Sequence, residues 1–304
     1  IMVGDHMQLP ATVFCDTAAK TRYNRSLFER LIDNQYPRNI LTIQYRMHPN
    51  IREFIGSTFY DNHLTDDEGS SNALKKDPIY TIVNDKMNFA FFDIKYGKEH
   101  FDADKGRSYS NNAEADFVLS LIRKINERIE QNNTGIYHHQ YNNEDYFSKE
   151  NNTQITLKRY KYAIIAPYKS QMRLILDELR KSDLYQSIDI EVNTVDSFQG
   201  QERDIVLFTT VRSNFQELGQ EKSSIGFLND FRRMNVGLSR AKLACFIIGD
   251  SSTLTLNSYW KKLLDYCRLR QSFIDVAKEE EAKMKMEKIF IKKEMCPEME
   301  DGEI

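Results

Sequence analysis

The sequence lacks the features that define several protein classes. The four cysteines are far apart and form no CxxC pair, which argues against a zinc site or a disulfide framework and favours a reducing compartment; they are Cys15, Cys245, Cys267 and Cys296. No apolar run approaches the roughly 18 residues that a membrane span needs, and no signal peptide opens the chain. The net charge of −3 argues against an indiscriminate polybasic nucleic-acid binder but allows a local basic groove. Composition therefore indicates a soluble, intracellular α/β protein.

Short β-branched runs alternate with helical patterns along the chain. The predicted strands are 162–166, 190–195, 204–211 and 243–249. Two segments near them carry the apolar stripe of a helix that buries one face. The stripes are formed by Val118, Leu121, Ile122, Ile125 and Ile129, and by Met172, Ile175, Leu176 and Leu179. Apolar strands that alternate with such helices predict a parallel sheet covered on both faces by helices.

Three segments do not fit this pattern. Residues 131–153 are rich in asparagine, histidine and tyrosine with little to bury, and we predict a disordered surface insertion there. From about Ala277 onward Glu, Lys and Met dominate, which favours a solvated helix and a frayed acidic tail over a partner-binding helix. Residues 1–3 read as the middle of a buried strand, so we expect the true N-terminus to lie upstream.

The first of four chemically informative stretches is VGDHMQLPATV, residues 3–13. We interpret it as a strand that ends at Gly4 and Asp5 and leads into a polar loop. Ligands of α/β proteins bind beyond the carboxyl ends of strands, so Gln8 is placed to sense a bound nucleotide. Taken alone, glycine and aspartate after a strand more often form a simple turn.

The second stretch is LTIQYRMHPNI, residues 41–51. A strand-like run leads directly into Tyr45 and Arg46, and Pro49 is expected to end it. A tyrosine ring can stack on a base, and the planar fork of an arginine can hold phosphate oxygens. An isolated pair of this kind is more often a half-buried tyrosine beside a surface arginine.

The third stretch, residues 192–213, runs from a strand through a polar loop into an apolar strand. The loop contains Thr194, Gly200 and Glu202. Glycine permits close backbone approach or a positive φ, and we expect its hydrogen-bonding neighbours to face one crevice.

The fourth stretch is GFLNDFRRMNVGLSRAK, residues 226–242. We predict a helix in which Arg233 and Arg240, seven residues apart, share one face. An arginine held in this way can neutralise charge that develops on a γ-phosphate, although a salt-bridged surface arginine is the commoner case.

In this order and spacing, the stretches resemble the second half of a superfamily 1 RNA/DNA helicase of the Upf-like group, most closely its senataxin branch. The motifs that carry the resemblance are GDHMQLPATV, SLFERL, QYRMHPNI, FYDNHL, IAPYKSQ, VDSFQGQERDIV and GFLNDFRRMNVGLSRAK. The resemblance implies an α/β, RecA-like P-loop NTPase fold. It assigns residues 1–39 to the end of a first RecA-like domain, 40–270 to the second and 271–304 to a charged tail.

The resemblance also assigns roles in nucleotide binding. Gln8, Arg46 and Arg240 would be the catalytic residues: the first two would contact the γ-phosphate of ATP, and Arg240 would be the arginine finger. Tyr45 would stack on adenine, and Gly200 and Glu202 would contact the nucleotide. Thr194, Tyr168 and Lys169 match positions near the nucleic-acid backbone, where contacts are largely independent of sequence.

Two departures from the family pattern are mild, and one is large. The common QLPP is QLPA here and the common LTRA is LSRA, and neither change removes a charged residue. In contrast, no GxxxxGK[ST] phosphate loop occurs in the 304 residues. The Asp-Glu pair that would help to hold Mg²⁺ should precede Val3 and is also missing. We therefore expect the Mg²⁺ ligands upstream of this chain, and no ATP hydrolysis by the chain alone.

The expected function is that of the C-terminal half of an ATP-dependent helicase of 5′–3′ type. Its expected partners are single-stranded RNA or DNA and RNA–DNA hybrids, and the motor is expected to be monomeric and nuclear, with a cytoplasmic site as the alternative. A DNA helicase of the replication-nuclease type remains open, because nothing in the sequence reads a 2′-hydroxyl. A non-catalytic nucleic-acid-binding scaffold also remains open. The upstream sequence, with or without a phosphate loop, would separate motor from scaffold.

Overall fold

A six-stranded parallel sheet forms the centre of the molecule. The computed structural model describes residues 2–11, 13, 15–103, 108–141, 159–213 and 225–291. The spatial order of the strands is β10-β3-β9-β8-β6-β7. Their bounds are β3 Phe89–Ile94, β6 Lys161–Ala166, β7 Asp189–Thr194, β8 Arg203–Thr209, β9 Ala241–Gly249 and β10 Phe273–Val276. The predicted α/β, RecA-like architecture is confirmed.

Two small sheets and eleven α-helices complete the described structure. β1 (Ile43–Gln44) pairs in parallel with β2 (Thr65–Asp66), and β4 (His100–Asp102) pairs antiparallel with β5 (Ser108–Ser110). The helices are α1 Asp16–Lys20, α2 Leu27–Asp33, α3 Pro49–Phe59, α4 Glu68–Lys75, α5 Asn112–Tyr141, α6 Lys169–Arg180, α7 Leu184–Ser187, α8 Phe231–Leu238, α9 Ser251–Leu254, α10 Ser258–Leu269 and α11 Ala282–Met286. Short 3-10 helices span Pro78–Thr81, Asp85–Met87, Asp196–Phe198, Gly226–Asn229, Glu279–Glu281 and Glu287–Ile289.

The sheet separates two hydrophobic cores. Successive side chains of a strand point to opposite faces, so in β9 Phe246 packs into the core beside α5 while Ile247 packs into the core beside α3 and α10. Because both faces are covered, the central strands are apolar along their whole length rather than alternating. This explains why their sequences read as continuous hydrophobic runs.

The four predicted strands and both helical stripes are present, with strand ends within two residues of the prediction. Two of the six strands of the central sheet were not predicted. β3 lies inside the sheet, but its sequence FAFFDI has a single β-branched residue, Ile94, so a search for β-branched runs misses it. β10 is a short edge strand that pairs only with β3 among the described strands.

The predicted strand at the start of the chain is absent. Residues 2–5 form no regular structure, and Val3 is exposed. None of the described strands pairs with this segment, and an extended chain without a hydrogen-bonded neighbour does not form a sheet.

The domain also continues past residue 270, contrary to the predicted boundary. β10 belongs to the central sheet, and the segment after it carries four buried residues, Ala282, Met286, Ile289 and Phe290, in the same core as α5. Their spacing is that of a helical apolar stripe, which the surrounding glutamates and lysines obscured. Residues 292–304 lie outside the described part of the chain.

The predicted disordered insertion begins too early. α5 extends to Tyr141, so residues 131–141 are helical. No proline interrupts this stretch, and a loss of apolar side chains alone does not end a helix. The remainder of the predicted insertion, 142–153, lies outside the described residues.

In the described structure, no helix combines the length and apolarity that a membrane span requires.

Candidate nucleotide and nucleic-acid sites

The predicted nucleotide-binding residues meet at the amino edge of the central sheet. Glu202 comes immediately before β8, and Arg240 comes immediately before β9. The backbone N–H of Arg203 donates to the carbonyl of Arg240 at 3.0 Å, which fixes the two strand entries side by side. This edge is opposite to the carboxyl ends of the strands, where the location of Gln8 was expected.

Arg240 is the centre of this site. Its residue is only 2% exposed, and its guanidinium donates to the carbonyl oxygens of Val236 at 2.9 Å and Gln201 at 3.2 Å. A third bond, at 3.1 Å, joins its Nη2 to the side-chain oxygen of Gln8. Among the described residues, no carboxylate lies within salt-bridge distance of Arg240. Burial, and then repulsion from Arg46, lower the pKa of Arg240 to about 10.

The predicted helical context of Arg240 is wrong. α8 ends at Leu238, and Arg240 lies in the turn between α8 and β9. Arg233 is therefore not its neighbour on a helix face, and instead forms ion pairs with Asp230 at 3.0 Å and Asp196 at 3.4 Å. This turn allows the charged side chain to be buried, because it places the guanidinium between the carbonyl groups of Val236 and Gln201.

Arg46 lies at the same edge of the sheet, where it contacts Glu202 and Ser239. Its Nε lies 2.9 Å from a carboxylate oxygen of Glu202, and its Nη1 donates to the carbonyl of Ser239 at 3.4 Å. The hydrogen bond from Arg46 is the main cause that lowers the pKa of Glu202, and the charge of Lys242, 3.7 Å away, adds to it. Arg46 and Glu202 thus form a half-exposed ion pair beside Arg240.

The turn that presents Tyr45 and Arg46 is built by Gln44. Its side-chain oxygen accepts from the backbone N–H of Arg46 at 2.9 Å and of Met47 at 2.7 Å. Pro49 follows as the first residue of α3, so it begins a helix where it was expected only to end a strand. Tyr45 is exposed at the tip of this turn, so its ring is accessible for stacking.

The segment that carries Gln8 is held against Tyr60 and Asn235 by a polar network. The Gln8 amide donates to Asp5 at 3.1 Å, and the Tyr60 hydroxyl donates to the same carboxylate at 2.6 Å. Asn235 donates to the carbonyl of Met7 at 2.9 Å and to the Tyr60 oxygen at 2.8 Å. Burial, together with Asp5, raises the pKa of Tyr60. Asp5, Tyr60 and Asn235 were not predicted, although each lies within a motif that carries the resemblance.

Gly200 occupies an open turn before Glu202. Its φ is +82°, and no atom lies within 4 Å of the position that a side chain would occupy. The glycine is therefore required by backbone conformation and not by lack of space. Among the described residues, no group of three His, Cys, Asp or Glu side chains could hold a metal ion.

The predicted nucleic-acid residues lie at the opposite, carboxyl edge. Thr194 ends β7 and pairs with Ala166, the last residue of β6, while exposed Lys169 begins α6. The hydroxyls of Thr194 and Ser197 are 3.2 Å apart. The structure thus brings Thr194 and Lys169 to one edge, apart from the nucleotide residues.

Tyr168 does not have an exposed side chain. Its residue is only 4% exposed, and its hydroxyl donates to the carbonyl of Ile225 at 3.1 Å. It also lies 3.4 Å from a guanidinium nitrogen of Arg212. The ring therefore supports the carboxyl edge from within, and direct contact of this side chain with nucleic acid would require it to move.

Arg212 and Glu114 organise this edge and were not predicted. Arg212 is bound to Glu99, whose carboxylate lies 2.8 Å from its Nε. Glu114, fully buried, accepts from the Thr209 hydroxyl and, at 2.8 Å, from the backbone N–H of Val211. Val211 has a φ of +71°, which is rare for a β-branched residue. A strained residue held by a buried acid is a common mark of a functional edge.

One short segment joins the two edges. Residues 195–202 run from the carboxyl end of β7 to the amino end of β8, and include a 3-10 turn at Asp196–Phe198. Phe198 is fully buried and anchors the segment in the core that contains α3. The predicted nucleotide and nucleic-acid residues are thus connected through the backbone.

Comparison with known proteins identifies the family of the chain. Residues 23–252 match the family model described as AAA domain. The chain is 36% identical over 268 residues to the helicase SEN1 of Saccharomyces cerevisiae, which covers 87% of this chain and 10% of that protein. Identity to the probable helicase MAGATAMA 3 of Arabidopsis thaliana is 35% over 280 residues, covering 91% of this chain and 30% of that protein.

A third relative is the regulator of nonsense transcripts 1 homolog of Drosophila melanogaster. It is 33% identical over 281 residues, covering 90% of this chain and 20% of that protein. The chain therefore spans 10% to 30% of the length of these three relatives. Because the family model matches most of its residues, the chain belongs to the AAA domain family, as a RecA-like domain of a superfamily 1 helicase of the Upf-like, senataxin-type group.

Proposed function

We propose that this chain is the C-terminal half of an ATP-dependent helicase that translocates along single-stranded nucleic acid with 5′–3′ polarity. The observation that carries the proposal is Arg240, a buried arginine bonded to neutral oxygens of Val236, Gln201 and Gln8. A buried charge is normally paired with an opposite charge. A phosphate group between the two RecA-like domains would supply that charge.

The residues at the amino edge suit the chemistry of phosphoryl transfer. ATP would supply the γ-phosphoryl group, with Mg²⁺ held by residues outside this chain. Arg240 and Arg46 would stabilise the negative charge that develops on the phosphoryl oxygens, which is the main contribution of a protein to this reaction. Gln8 would sense the γ-phosphate, Tyr45 would stack on adenine, and Gly200 and Glu202 would complete the nucleotide contacts.

Preorganisation of Arg240 supports this role. Its Nε and Nη1 are bonded to backbone carbonyls, so the planar fork is fixed before a ligand arrives. Its Nη2 is bonded to Gln8, a side chain that itself belongs to the proposed nucleotide set. A ligand can thus replace one neutral acceptor without disturbing the other two bonds.

The substrate that we propose is single-stranded RNA or DNA, or an RNA–DNA hybrid. Thr194 and Lys169 at the carboxyl edge would contact the phosphate backbone. We propose a monomeric motor in the nucleus, on the strength of the senataxin-like motifs. Exclusive cytoplasmic fluorescence of a tagged full-length protein would contradict the nuclear assignment.

The test of the proposal is the full-length protein with Arg240→Ala. We expect kcat for ATP hydrolysis with saturating single-stranded RNA to fall roughly 10³-fold or more, the scale seen for arginine fingers. Affinity for the RNA should stay near the wild-type value. Arg240→Lys should restore little activity, because an ammonium keeps the charge but loses the planar fork.

Arg268→Ala serves as the matched control. Arg268 forms an exposed ion pair with Asp265 at 3.1 Å on α10, and such pairs contribute about 0–1 kcal/mol. Its loss should leave kcat unchanged. An unchanged kcat in Arg240→Ala as well would remove Arg240 from the site and favour the non-catalytic scaffold.

A further inference from the structure

Four aromatic rings form a continuous row at the carboxyl edge of the sheet. Phe101 of β4 lies 5.0 Å, between ring centroids, from Tyr109 of β5. Tyr109 lies 5.3 Å from Tyr168, and Tyr168 lies 5.6 Å from Phe227. We call these four residues the aromatic row. It draws on three separate parts of the sequence and ends beside the residues that precede α8.

The two ends of the row differ from its middle. Phe101 is 43% exposed and Phe227 is 52% exposed, whereas Tyr168 is 4% exposed. Both exposed rings are phenylalanines, which have no hydroxyl that water could satisfy. Exposed apolar rings that rest on buried rings are characteristic of stacking surfaces, where one face of the ring remains available.

Several contacts hold the middle of the row in place. The guanidinium carbon of Arg212 lies 4.2 Å from the centre of the Tyr109 ring, and Arg212 is itself held by Glu99. Gly226 allows the backbone next to Phe227 to approach the Tyr168 hydroxyl. A side-chain carbon at Gly226 would lie 2.7 Å from that oxygen. Fixed rings lose little conformational entropy when they bind a ligand.

The surroundings favour nucleic acid over protein as the occupant. Lys169 directly follows Tyr168 in the chain, and Lys98 and His100 lie just before Phe101; all three side chains are exposed. Arg233, which is also ion-paired with Asp230 and Asp196, places its guanidinium carbon 5.1 Å from the centre of the Phe227 ring. Aromatic rings interleaved with cations match the alternation of bases and phosphates in a single strand. An apolar peptide would gain nothing from the cations.

We propose that Phe101 and Phe227 are stacking sites for the bases of the single strand, with the phosphates of the same strand directed toward Lys169. This proposal rests on the proposed helicase function and adds base contacts to its backbone contacts. Every base has a flat π-face, so such stacking does not select a sequence. The motor would thus bind the bases of the strand without recognising their sequence.

The experiment uses full-length protein with Phe101→Ala, Phe227→Ala and the double variant. The probe is a fluorescent oligouridylate, whose Kd is measured by anisotropy at one fixed salt concentration. Each single variant should weaken binding about 5-fold or more, and the double variant further, as expected for the loss of stacked bases. ATP hydrolysis without nucleic acid should not change.

An oligonucleotide of the same length that carries abasic sites separates stacking from other effects. The wild type and the double variant should bind it equally, because it offers phosphates without bases. Equal losses of affinity for both probes would overturn the proposal, since the rings would then act on the backbone or on the fold.

Further variants test whether the aromatic ring itself is needed for binding. Phe101→Tyr and Phe227→Tyr keep the ring and should retain nearly wild-type affinity, while Phe→Leu at either position keeps an apolar side chain without a ring and should lose it. Tyr185→Ala is the matched control, because Tyr185 on α7 has the same 43% exposure as Phe101 but lies outside the row. Its Kd should equal that of the wild type.

The outcomes distinguish the two proposals. If wild-type protein binds the oligouridylate and hydrolyses ATP but the double variant binds equally well, the stacking sites are refuted and the helicase function stands. If the wild type neither binds the strand nor hydrolyses ATP, both are refuted.

Discussion

Arg212 and Arg240 are both almost completely buried, at opposite edges of the same sheet. Arg212, 4% exposed, faces the carboxylate of Glu99, which forms two bonds with its guanidinium at 2.8 and 3.2 Å. Arg240, 2% exposed, faces the oxygens of neutral groups only, among the described residues. Burial lowers the pKa of both guanidinium groups. At Arg212, Glu99 and Tyr168 outweigh burial and raise the pKa, whereas at Arg240 burial prevails.

This difference in hydrogen-bond acceptors distinguishes a structural arginine from one that can bind a ligand. A buried arginine with a carboxylate completes its own ion pair and belongs to the fold. A buried arginine with neutral acceptors retains an uncompensated charge, which is unfavourable in the free protein. Such a cost is explained if an anion binds there in the working state. Arg212 at the carboxyl edge thus completes an ion pair of the fold, whereas Arg240 at the amino edge fits the anion site that we propose.

The largest expected effect comes from replacing each arginine by methionine in turn. Arg212→Met removes the guanidinium from the Glu99 carboxylate, whose side chain is only 14% exposed, so the free energy of unfolding should fall by about 3 kcal/mol. Arg240→Met removes an uncompensated charge together with three neutral hydrogen bonds, so its stability should change by only about 1 kcal/mol. Urea denaturation of both variants measures the contrast. Equal destabilisation would mean that Arg240 is as structural as Arg212.

A second expected effect is a pH dependence of the stability, caused by the buried Glu114 near the carboxyl edge. Burial raises the pKa of Glu114 from 4.5 to about 8, although hydrogen bonds from Thr209 and Val211 oppose the shift. The folded state therefore favours the protonated acid, and its contribution to stability is complete below pH 4.5 and is lost as the pH rises toward 8. The slope in this window should be about 1 kcal/mol per pH unit.

Glu114→Gln tests this assignment. A glutamine keeps an acceptor for the Val211 N–H but cannot ionise, so its free energy of unfolding should lack this slope between pH 5 and 8. Denaturation curves at pH 5.5, 6.5 and 7.5 provide the comparison. Parallel pH profiles for the variant and the wild type would show that Glu114 is ionised in the folded protein.

The smallest expected effect concerns backbone conformation at the amino edge. Gly200→Ala places a side chain in the left-handed region without any steric contact, so stability should fall by about 1–2 kcal/mol. Gly69→Ala is the control, because Gly69 lies in α4 with only ordinary contacts, and alanine should stabilise that helix by about 0.5–1 kcal/mol. Thermal unfolding of both variants gives the comparison. A neutral Gly200→Ala would show that this turn can adopt another conformation.

Four of the six strands of the central sheet could be predicted from the sequence, three of them because buried parallel strands have a distinctive composition. β6, β8 and β9 are apolar along nearly their whole length, so their existence and approximate ends could be predicted. β3 was not predicted because phenylalanine and alanine replace the β-branched residues. The buried apolar stripe after β10 was not predicted because charged residues surround it.

The candidate site could be predicted only as a set of motifs, and its predicted roles stay predictions. Gln8 and Arg240 are 232 residues apart, and nothing local indicates that they share a hydrogen bond. Glu99 and Arg212, 113 residues apart, gave no signal for the same reason. The positive φ of Val211 runs against the preference of valine, so tertiary contacts impose it and no local rule could supply it.

The eight residues 195–202 connect the carboxyl end of β7 to the amino end of β8. Fully extended, eight residues reach at most about 29 Å, and this segment is shortened by its 3-10 turn and anchored by buried Phe198. We therefore expect that any shift of Glu202 on nucleotide binding changes the position of Thr194. Thermodynamic linkage then requires that ATP and the strand alter each other's affinity by the same factor. An affinity measured for either ligand has a definite meaning only when the occupancy of the other is stated.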